Sequence, residues 1–474
     1  MWIKTFDTHL VPVPVRVKVL NECEDLGRIM KVLFVALGCD KNLVDAEVML
    51  GLLASRGYEM TDLEEEADII VVNTCCFIQD AKEESIEQIL EMAEYKTEGN
   101  LKALIVTGCM AQRYKQEVMN EIPEVDAVIG TTSYDKILEV IDEVLTGRQS
   151  LLVASPDHNP ITTTKRLLTT GGHYAYLKIA EGCDKHCTYC IIPKIRGNFR
   201  SVPMEDLMAE AKDLASRGVK ELILIAQETT LYGIDLYGEK RLLLLLKELC
   251  KIPEFYWIRV LYAYPEEITE ELLLTMKEEP KICNYLDIPI QHCNDEIMKK
   301  MGRKTSKEDL KAVIKQIRRV LPDVALRTTL ITGFPGETRE QHEELIDFVR
   351  QMRFERLGVF TYSQEEGTPA ASLEGQLPEE VKKSRQSEIM KAQQGIAFQA
   401  GESLIGREVL VMIEGSIADE NTYVGRTYRD APGVDGLIFV NTNTTLVSGD
   451  FVHVTVTGAI EYDLIGGLTH ELGQ

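Results

Sequence analysis

Three cysteines lie close together in the segment 181–190, which reads Glu-Gly-Cys-Asp-Lys-His-Cys-Thr-Tyr-Cys. Three residues separate Cys183 from Cys187, and two separate Cys187 from Cys190, so one loop can direct three sulfurs at a single object. Thiolates are the usual protein ligands of iron–sulfur clusters, and short cysteine runs of this kind are typical of them. Three ligands leave one iron of a [4Fe-4S] cluster open, and an open position on a metal centre is where a substrate or cofactor binds. The spacing therefore predicts a reactive cluster.

Two other uses of these cysteines are less favourable. A zinc site needs a fourth ligand, and the local candidate, His186, lies between two of the cysteines, where chelation would strain the loop. A disulfide with a spare thiol does not suit a chain without secretory features. We favour the cluster and keep a non-enzymatic iron–sulfur or zinc-binding protein as the distant alternative.

A second set of three cysteines follows apolar runs in the first part of the chain. Cys39, Cys75 and Cys109 each come after such a run, and glycines (Gly38 and Gly108) precede two of them and allow turns close to a bulky cofactor. The carboxyl ends of parallel strands line one edge of an open sheet, where ligands bind. One buried cysteine at a strand end is usually a small core residue, but three at equivalent places favour a shared site. We predict a second [4Fe-4S] cluster here, also with an open iron.

The elements that must position these cysteines are apolar strands that alternate with amphipathic helices. Continuous apolar runs of this length are typical of strands buried on both faces of a parallel sheet. In the first part of the chain, strands are predicted at 32–37, 68–73, 101–107 and 126–129. In the second part, they are predicted at 175–179, 221–226, 257–261, 285–288, 325–330 and 357–361. We expect an open parallel α/β domain followed by a partial (β/α) barrel.

The last part of the chain changes character. From about residue 402, short strands of alternating polarity are punctuated by glycines, which predicts a small antiparallel β-barrel. The 474 residues then divide into an N-terminal extension, an α/β domain, a linker, a barrel domain with a connecting helix, and a β-barrel domain. Their predicted bounds are 1–29, 30–148, 149–172, 173–400 and 401–474. Met30 opens the first clear strand, so we interpret it as the natural start of the protein.

The composition is that of a globular protein, with 45% hydrophobic residues. No apolar run approaches the length of a membrane-spanning helix, and the first twenty residues do not read as a signal peptide. These features predict a cytoplasmic protein with no membrane partner. In a reducing compartment, its eleven cysteines indicate metal sites or buried thiols, not disulfides.

The loop 183–190, with Tyr189 directly before its last cysteine, resembles the radical S-adenosylmethionine (SAM) superfamily. An α/β domain with three cysteines ahead of that loop resembles the methylthiotransferases of this superfamily. The segments that carry this second resemblance are 37–42, 73–75, 107–113, 227–230, 287–292, 301–305 and 327–337. Cys76 departs from the pattern, because relatives often carry glycine there, and we interpret it as a bystander since Cys75 keeps the register.

The resemblance implies that the open iron of the cluster on Cys183, Cys187 and Cys190 chelates SAM. An electron from this cluster then cleaves SAM to a 5′-deoxyadenosyl radical, which removes an unactivated hydrogen. The second cluster supplies the sulfur, already methylated by a second SAM. Side chains that contact the cofactor are then Tyr189, Gln227 and Arg303. The chemistry belongs to the two clusters and SAM, so no side chain is predicted to be catalytic, and an external electron donor is required.

The C-terminal domain resembles the TRAM domain that ends methylthiotransferases. Its residues 401–474 hold three arginines and eleven acidic residues, a net charge of −8, in a chain whose net charge is −24. Phosphate contacts need Lys and Arg, so this domain repels nucleic acid and suits a basic protein. The segment 430–436 (Asp-Ala-Pro-Gly-Val-Asp-Gly) resembles the RimO branch, which methylthiolates the β-carbon of an aspartate in small ribosomal subunit protein twelve. The alternative is a transfer-RNA adenosine methylthiotransferase.

Overall fold

The computed structural model describes residues 29–160, 165–418 and 420–472. The predicted N-terminal extension, 1–29, lies outside the described residues except for Ile29, so the interpretation of Met30 as the natural start stays a prediction. The predicted linker 149–172 is described except for 161–164. None of the described helices combines the length and the apolar character needed to cross a membrane.

The first unit is an α/β domain built on one parallel sheet of six strands. Its strands are β1 (Lys31–Ala36), β2 (Glu59–Met60), β3 (Ile69–Thr74), β4 (Ala103–Gly108), β5 (Ala127–Ile129) and β6 (Ser150–Leu152). Its helices are α1 (Asp40–Ser55), α2 (Gln79–Glu98), α3 (Cys109–Tyr114), α4 (Gln116–Glu121) and α5 (Ile137–Leu145). The strand order is β2-β1-β3-β4-β5-β6, and β3 and β4 are buried along their whole length, which confirms the predicted open parallel domain.

Strand β6 lies in the segment that we predicted as a linker. It pairs in parallel with β5 and extends the sheet by one strand. Its three residues directly precede a stretch of loop composition, 155–160, which is why the sequence indicated a linker there.

The second unit is the predicted partial barrel of six parallel strands. Its strands are β7 (Tyr174–Lys178), β10 (Glu221–Ile225), β11 (Trp257–Val260), β12 (Tyr285–Asp287), β13 (Ala325–Thr332) and β14 (Arg356–Thr361). A further short pair, β8 (Ala180–Glu181) and β9 (Arg200–Ser201), brackets the cysteine loop. The orders β11-β10-β7 and β12-β13-β14 are joined by a parallel bridge between Ile258 and Ile282.

Helices cover the outside of this barrel. They are α6 (Ile192–Arg196), α7 (Met204–Ser216), α8 (Ile234–Tyr237), α9 (Leu242–Cys250), α10 (Glu270–Glu278), α11 (Asp295–Lys300), α12 (Lys307–Val320) and α13 (Arg339–Met352). Leucines and isoleucines of α9 and α12 enter the large apolar core that this unit shares with its strands. Helix α14 (Glu379–Glu402) leads on to the third unit.

The third unit is a closed five-stranded barrel, followed by the short helix α15 (Thr469–Leu472). Its strands are β15 (Glu408–Ser416), β16 (Thr422–Thr427), β17 (Ile438–Asn441), β18 (Phe451–Ile460) and β19 (Asp463–Leu468). The barrel is antiparallel, as predicted, except that β17 and β19 pair in parallel.

The third unit packs against the amino-terminal ends of the barrel strands through buried ion pairs. Glu221, the first residue of β10, accepts hydrogen bonds from Arg259 Nε at 2.8 Å and from Arg426 Nη2 at 2.7 Å. Asp430 binds Arg356, the first residue of β14, with 2.8 Å between Oδ1 and Nε. The β-barrel therefore closes the end of the (β/α) barrel that is opposite to the cysteine loop.

We expect Glu221→Gln to lower the free energy of unfolding by about 3–5 kcal/mol, because it leaves the Arg259 guanidinium buried without its carboxylate. Burial would raise the pKa of Glu221, but Arg426 and Arg259 hold it below its ordinary value. The contribution of Glu221 to stability is therefore complete above the ordinary pKa of Glu. It is lost as the pH falls through the lower pKa that Glu221 has in the folded protein. Denaturant unfolding at neutral pH checks this, with the exposed Glu408→Gln as the control. Equal midpoints for the two variants would contradict it.

Candidate functional site

Cys39, Cys75 and Cys109 lie at the carboxyl ends of three neighbouring strands. Strand β3 pairs with β1 on one side and β4 on the other, and paired strands lie about 4.8 Å apart. A Cβ on Gly38, the residue before Cys39, would lie 3.3 Å from Cys75 Sγ, so these two loops are in contact. Cys75 and Cys109 are buried, whereas Cys39 is exposed. The fold thus brings the three predicted ligands to one edge of the sheet.

Asn42, in the first turn of α1, connects the three loops. Its Nδ2 donates to the carbonyl oxygens of Leu37 at 3.2 Å and Thr74 at 3.0 Å. Its Oδ1 accepts a hydrogen bond from Cys109 Sγ at 3.6 Å, and its backbone oxygen accepts one from Asn73 Nδ2 at 2.8 Å. One buried side chain therefore contacts the ends of β1, β3 and β4 and fixes the spacing of the cysteines.

The electrostatics of this set suit a cationic group. Burial raises the pKa of Cys75 and Cys109, and for Cys75 the neighbouring charges on Cys109 and Cys39 raise it further. Cationic iron would stabilise the thiolates that burial disfavours. Among the described residues, no three His, Cys, Asp or Glu side chains are grouped tightly enough for one metal ion. The predicted cluster on these three cysteines therefore stays a prediction.

Cys183, Cys187 and Cys190 lie on the loop that follows β8. The Cys183 N–H donates to the carbonyl of Gly197 at 3.1 Å, and the Cys190 N–H donates to that of Cys187 at 3.0 Å. His186 has a φ of 49°, a left-handed conformation that is uncommon for a residue other than glycine, and its side chain is exposed. Burial raises the pKa of Cys183 to about 11 and that of Cys190 to about 12. The loop thus holds three thiols through its backbone.

Two buried acceptors lie beside this loop. Gln227 Nε2 donates to Glu181 Oε1 at 2.6 Å, but Gln227 Oε1 accepts no hydrogen bond from any of the described residues. Within the same part of the chain Glu228 Oε2 accepts none either, and Lys185 Nζ is 3.8 Å away. Burial raises the pKa of Glu228 to about 7. Buried acceptors usually have donors, so these two atoms fit the ammonium group of SAM.

The other predicted cofactor contacts, Arg303 and Tyr189, also lie near the loop. The Arg303 guanidinium stacks on Tyr264, 4.5 Å from the ring centroid, and donates to the carbonyl of Pro289 at 3.1 Å. Burial would lower the pKa of Arg303, but the neighbouring Tyr189, Tyr264 and Cys187 raise it. Tyr189 is half-buried against a small apolar cluster. Their roles toward SAM stay predictions.

The segment that follows Cys39 contacts the barrel across the interface between the two domains. Lys41 Nζ lies 3.0 Å from the ring centroid of Tyr262, whose hydroxyl donates to Asp40 Oδ1 at 3.1 Å. Tyr262 follows β11 and has a φ of 62°, and strained residues of this kind cluster at functional sites. The residues directly after Cys39 therefore contact the carboxyl ends of the barrel strands.

Sequence reasoning did not single out Asn42, Tyr262 or Arg196, a buried arginine between the two sets. Asn42 belongs to a segment that carries the resemblance, so its presence three residues after Cys39 was the available signal. Arg196 and Tyr262 act through contacts across domains, which leave no periodic signal in the sequence.

Comparison with known proteins agrees with this architecture. Residues 31–130 match the model of the uncharacterized protein family UPF0004, residues 177–349 the radical SAM superfamily, and residues 405–468 the TRAM domain. A ribosomal protein uS12 methylthiotransferase RimO of Lachnoclostridium phytofermentans is 64% identical over 92% of this chain and 99% of its own length. The protein of the same name from Clostridioides difficile is 50% identical over 94% of this chain and 100% of its own length.

Solved structures share the fold of much of the chain. The radical SAM methyltransferase TsrM of Kitasatospora setae, with tryptophan and a SAM analogue bound, aligns with a TM-score of 0.50 and 13% identity over 80% of this chain and 78% of its own. The same enzyme with cobalamin and a [4Fe-4S] cluster bound aligns with a TM-score of 0.52 and 12% identity, over 80% of this chain and 79% of its own. At such identities the likeness concerns the fold alone.

An α/β domain, a radical SAM barrel and a TRAM barrel in this order define a radical SAM methylthiotransferase. The identity to relatives along nearly their whole length places the protein more narrowly. The chain belongs to the RimO family of ribosomal protein uS12 methylthiotransferases.

Proposed function

We propose that this enzyme methylthiolates the β-carbon of an aspartate in ribosomal protein uS12, in the cytoplasm, with electrons from an external donor. The observation that carries the proposal is that the two cysteine sets are joined by one side chain: Arg196, which follows the loop of the second set, lies 3.7 Å from Cys109 Sγ and donates to Glu181, directly before that loop. A hydrogen removed at one centre and a sulfur delivered at the other require the two sites to lie close together. The names of the relatives support uS12 as the substrate.

In this proposal each cysteine set holds one [4Fe-4S] cluster. The cluster that binds SAM is held by Cys183, Cys187 and Cys190. The cluster that delivers sulfur is held by Cys39, Cys75 and Cys109. When bound, the clusters and SAM supply the 5′-deoxyadenosyl radical and the methylated sulfur. The protein groups bind, orient and shield these cofactors.

The side chains around the cysteine loop then orient SAM. Gln227 Oε1 and Glu228 Oε2 accept from its ammonium group, since both are buried acceptors without a hydrogen-bond donor. Arg303, stacked on Tyr264, supplies a positive charge beside Cys187. Burial of five of the six thiols, fully or in part, limits the access of water and stray hydrogen donors to a radical.

The charge of the C-terminal domain favours a basic protein partner. Its carboxylates Asp430 and Asp435 are buried against arginines of the barrel and so do not face a partner. The remaining acidic surface is still large, because five carboxylates are exposed among the described residues of this domain. They are Glu402, Glu408, Glu420, Glu461 and Glu471. Such a surface speeds the encounter with a basic protein and slows that with a phosphate backbone.

We divide the chain by role along the predicted bounds. The α/β domain 30–148 delivers sulfur, the barrel domain 173–400 generates the radical, and the TRAM domain 401–474 docks the substrate. The family matches at 31–130, 177–349 and 405–468 fall inside these bounds.

We expect the reconstituted enzyme, given SAM and a reductant, to add a methylthio group to uS12 and none to transfer RNA. The measurement is mass spectrometry of uS12 peptides and of nucleosides from digested transfer RNA in parallel reactions. A uS12 variant with asparagine in place of the modified aspartate is the control. A methylthio nucleoside beside unmodified uS12 would instead establish the transfer-RNA alternative.

A further inference from the structure

A buried arginine lies between the two cysteine sets. Arg196, the last residue of α6, follows the cysteine loop of the barrel, yet its side chain reaches into the α/β domain. The side chain is 2% exposed. Its Nη2 lies 3.7 Å from Cys109 Sγ, within hydrogen-bonding range for a sulfur acceptor.

The direction of this contact is set by the other partners of Arg196. Its Nη1 donates to Asp45 Oδ2 at 2.7 Å and to Glu181 Oε2 at 3.1 Å. Its Nη2 also donates to Asn42 Oδ1, the atom that accepts from Cys109 Sγ. The guanidinium is planar and rigid, so two carboxylates on one nitrogen fix where the other nitrogen points.

Neutralising the carboxylates does not by itself require an arginine at this place. Lys178 Nζ already pairs with Glu181 Oε2 at 2.8 Å and with Asp45. A lysine would neutralise either carboxylate as a point charge, but it could not also reach the sulfur in a fixed direction. The feature that is specific to Arg196 is therefore its N–H group at Cys109.

We propose that Arg196 is a positioning residue that donates a hydrogen bond to the Cys109 thiolate and raises the reduction potential of the cluster on Cys39, Cys75 and Cys109. This inference rests on the proposed function, which places that cluster there. Hydrogen bonds and positive charge at a cluster sulfur stabilise the reduced form, which carries one more negative charge. The effect is large in a buried site, where solvent screens little.

The same residue connects this cluster to the SAM site. Glu181, which binds Arg196, also accepts the hydrogen bond from Gln227, the proposed SAM contact. A chain of hydrogen bonds thus runs from Cys109 through Arg196 and Glu181 to Gln227. Arg196 therefore stands where the charge of one centre acts on the other.

The test measures the potential of this cluster alone. Alanine at Cys183, Cys187 and Cys190 removes the other cluster, and the full-length triple variant, reconstituted with iron and sulfide, is the reference. Its midpoint is read by electron paramagnetic resonance during a redox titration. In this background, Arg196→Gln is expected to shift the reduction equilibrium about tenfold toward the oxidised cluster, which is about 59 mV for a one-electron couple.

Two further variants separate this role from a structural one. Asp45→Asn leaves the Arg196 charge less compensated, so we expect the midpoint to move in the opposite direction. Arg113→Gln is the matched control, because Arg113 is also buried and paired with a carboxylate, Glu365, at 2.8 Å but donates to no predicted ligand. Its midpoint should equal that of the reference.

The outcomes are distinct. A reference that binds no iron would overturn the proposed cluster, and this inference with it. If the cluster is present and its midpoint potential is the same in Arg196→Gln as in Arg113→Gln, this inference is overturned and the proposed function is not. Should Arg196→Gln not fold, Asp45→Asn decides, because both Arg196 and Lys178 keep Glu181 as a partner in that variant. An unchanged or lowered midpoint in Asp45→Asn would then overturn it.

Discussion

Replacing Cys183 with alanine is expected to reduce the formation of 5′-deoxyadenosine from SAM by more than about 100-fold. Losing a residue that only hydrogen-bonds to a metal ligand costs up to about 100-fold, and the loss of a ligand itself should cost more. In the proposed function the loop supplies three thiols to one cluster, and with two of them the iron that must stay open for SAM is no longer held in place. The iron content should fall by about half, since one of two clusters is lost. Both quantities are measured on anaerobically reconstituted protein after addition of a reductant.

Cys250→Ala is the matched control for this prediction. Cys250 is a half-buried free thiol at the end of α9, packed against the core of the same domain and distant in sequence from the loop. Its replacement should leave both the iron content and the cleavage of SAM unchanged. If Cys183→Ala cleaves SAM as well as the wild-type enzyme, the assignment of a cluster to this loop is wrong.

Three of the strands around the two sites could be predicted from the sequence because they are buried along their whole length. Strands β3, β4 and β10 read as continuous apolar runs, and no other local structure competes for such runs between turn residues. Strands β2, β8 and β9 have two residues each and were not predicted, since no pattern can be recognised over so short a length. Strand β6 was assigned to the linker because residues of loop composition follow it directly.

The cysteines of the candidate site could be predicted for a related reason. Parallel strands end at the same edge of a sheet, so a cysteine after each of three strands implies a common location without any side-chain contact. The groups that hold this site together, Asn42 and Arg196, depend on tertiary contacts between loops and between domains. Sequence spacing carries no information on such contacts.

One sequence feature has a different role from the one its chemistry suggested. The segment 430–436 indicated the RimO branch, which modifies a protein, and its acidic residues contributed to the predicted attraction of a basic substrate. In the structure Asp430 binds Arg356, and Asp435 accepts from the Tyr285 hydroxyl at 2.7 Å. The segment therefore fixes the TRAM domain on the barrel, and substrate attraction is left to the exposed carboxylates.

The second large effect concerns the other cysteine set. We expect Cys39→Ala to keep the reductive cleavage of SAM and to form no detectable methylthio product on uS12. Cys39 lies after β1, in a different domain from the loop 183–190, so its loss leaves the radical-generating site intact. The cluster that delivers sulfur, however, loses one of three ligands. The measurement pairs quantification of 5′-deoxyadenosine with mass spectrometry of uS12 in one reaction.

Cys76→Ala gives this prediction its control, because Cys76 neighbours Cys75 in sequence and differs from it in surroundings. The Cys76 side chain is fully buried in an apolar cluster that also contains Cys109, and burial together with Cys109 raises the pKa of its thiol to about 12. Cys75, in contrast, contacts the loop of Cys39 and is held by Ser85, whose hydroxyl accepts from the Cys75 N–H at 3.0 Å. Cys76→Ala should therefore keep methylthio transfer. Loss of transfer in Cys76→Ala, together with its retention in Cys39→Ala, would assign the sulfur-delivering cluster to a different set of cysteines.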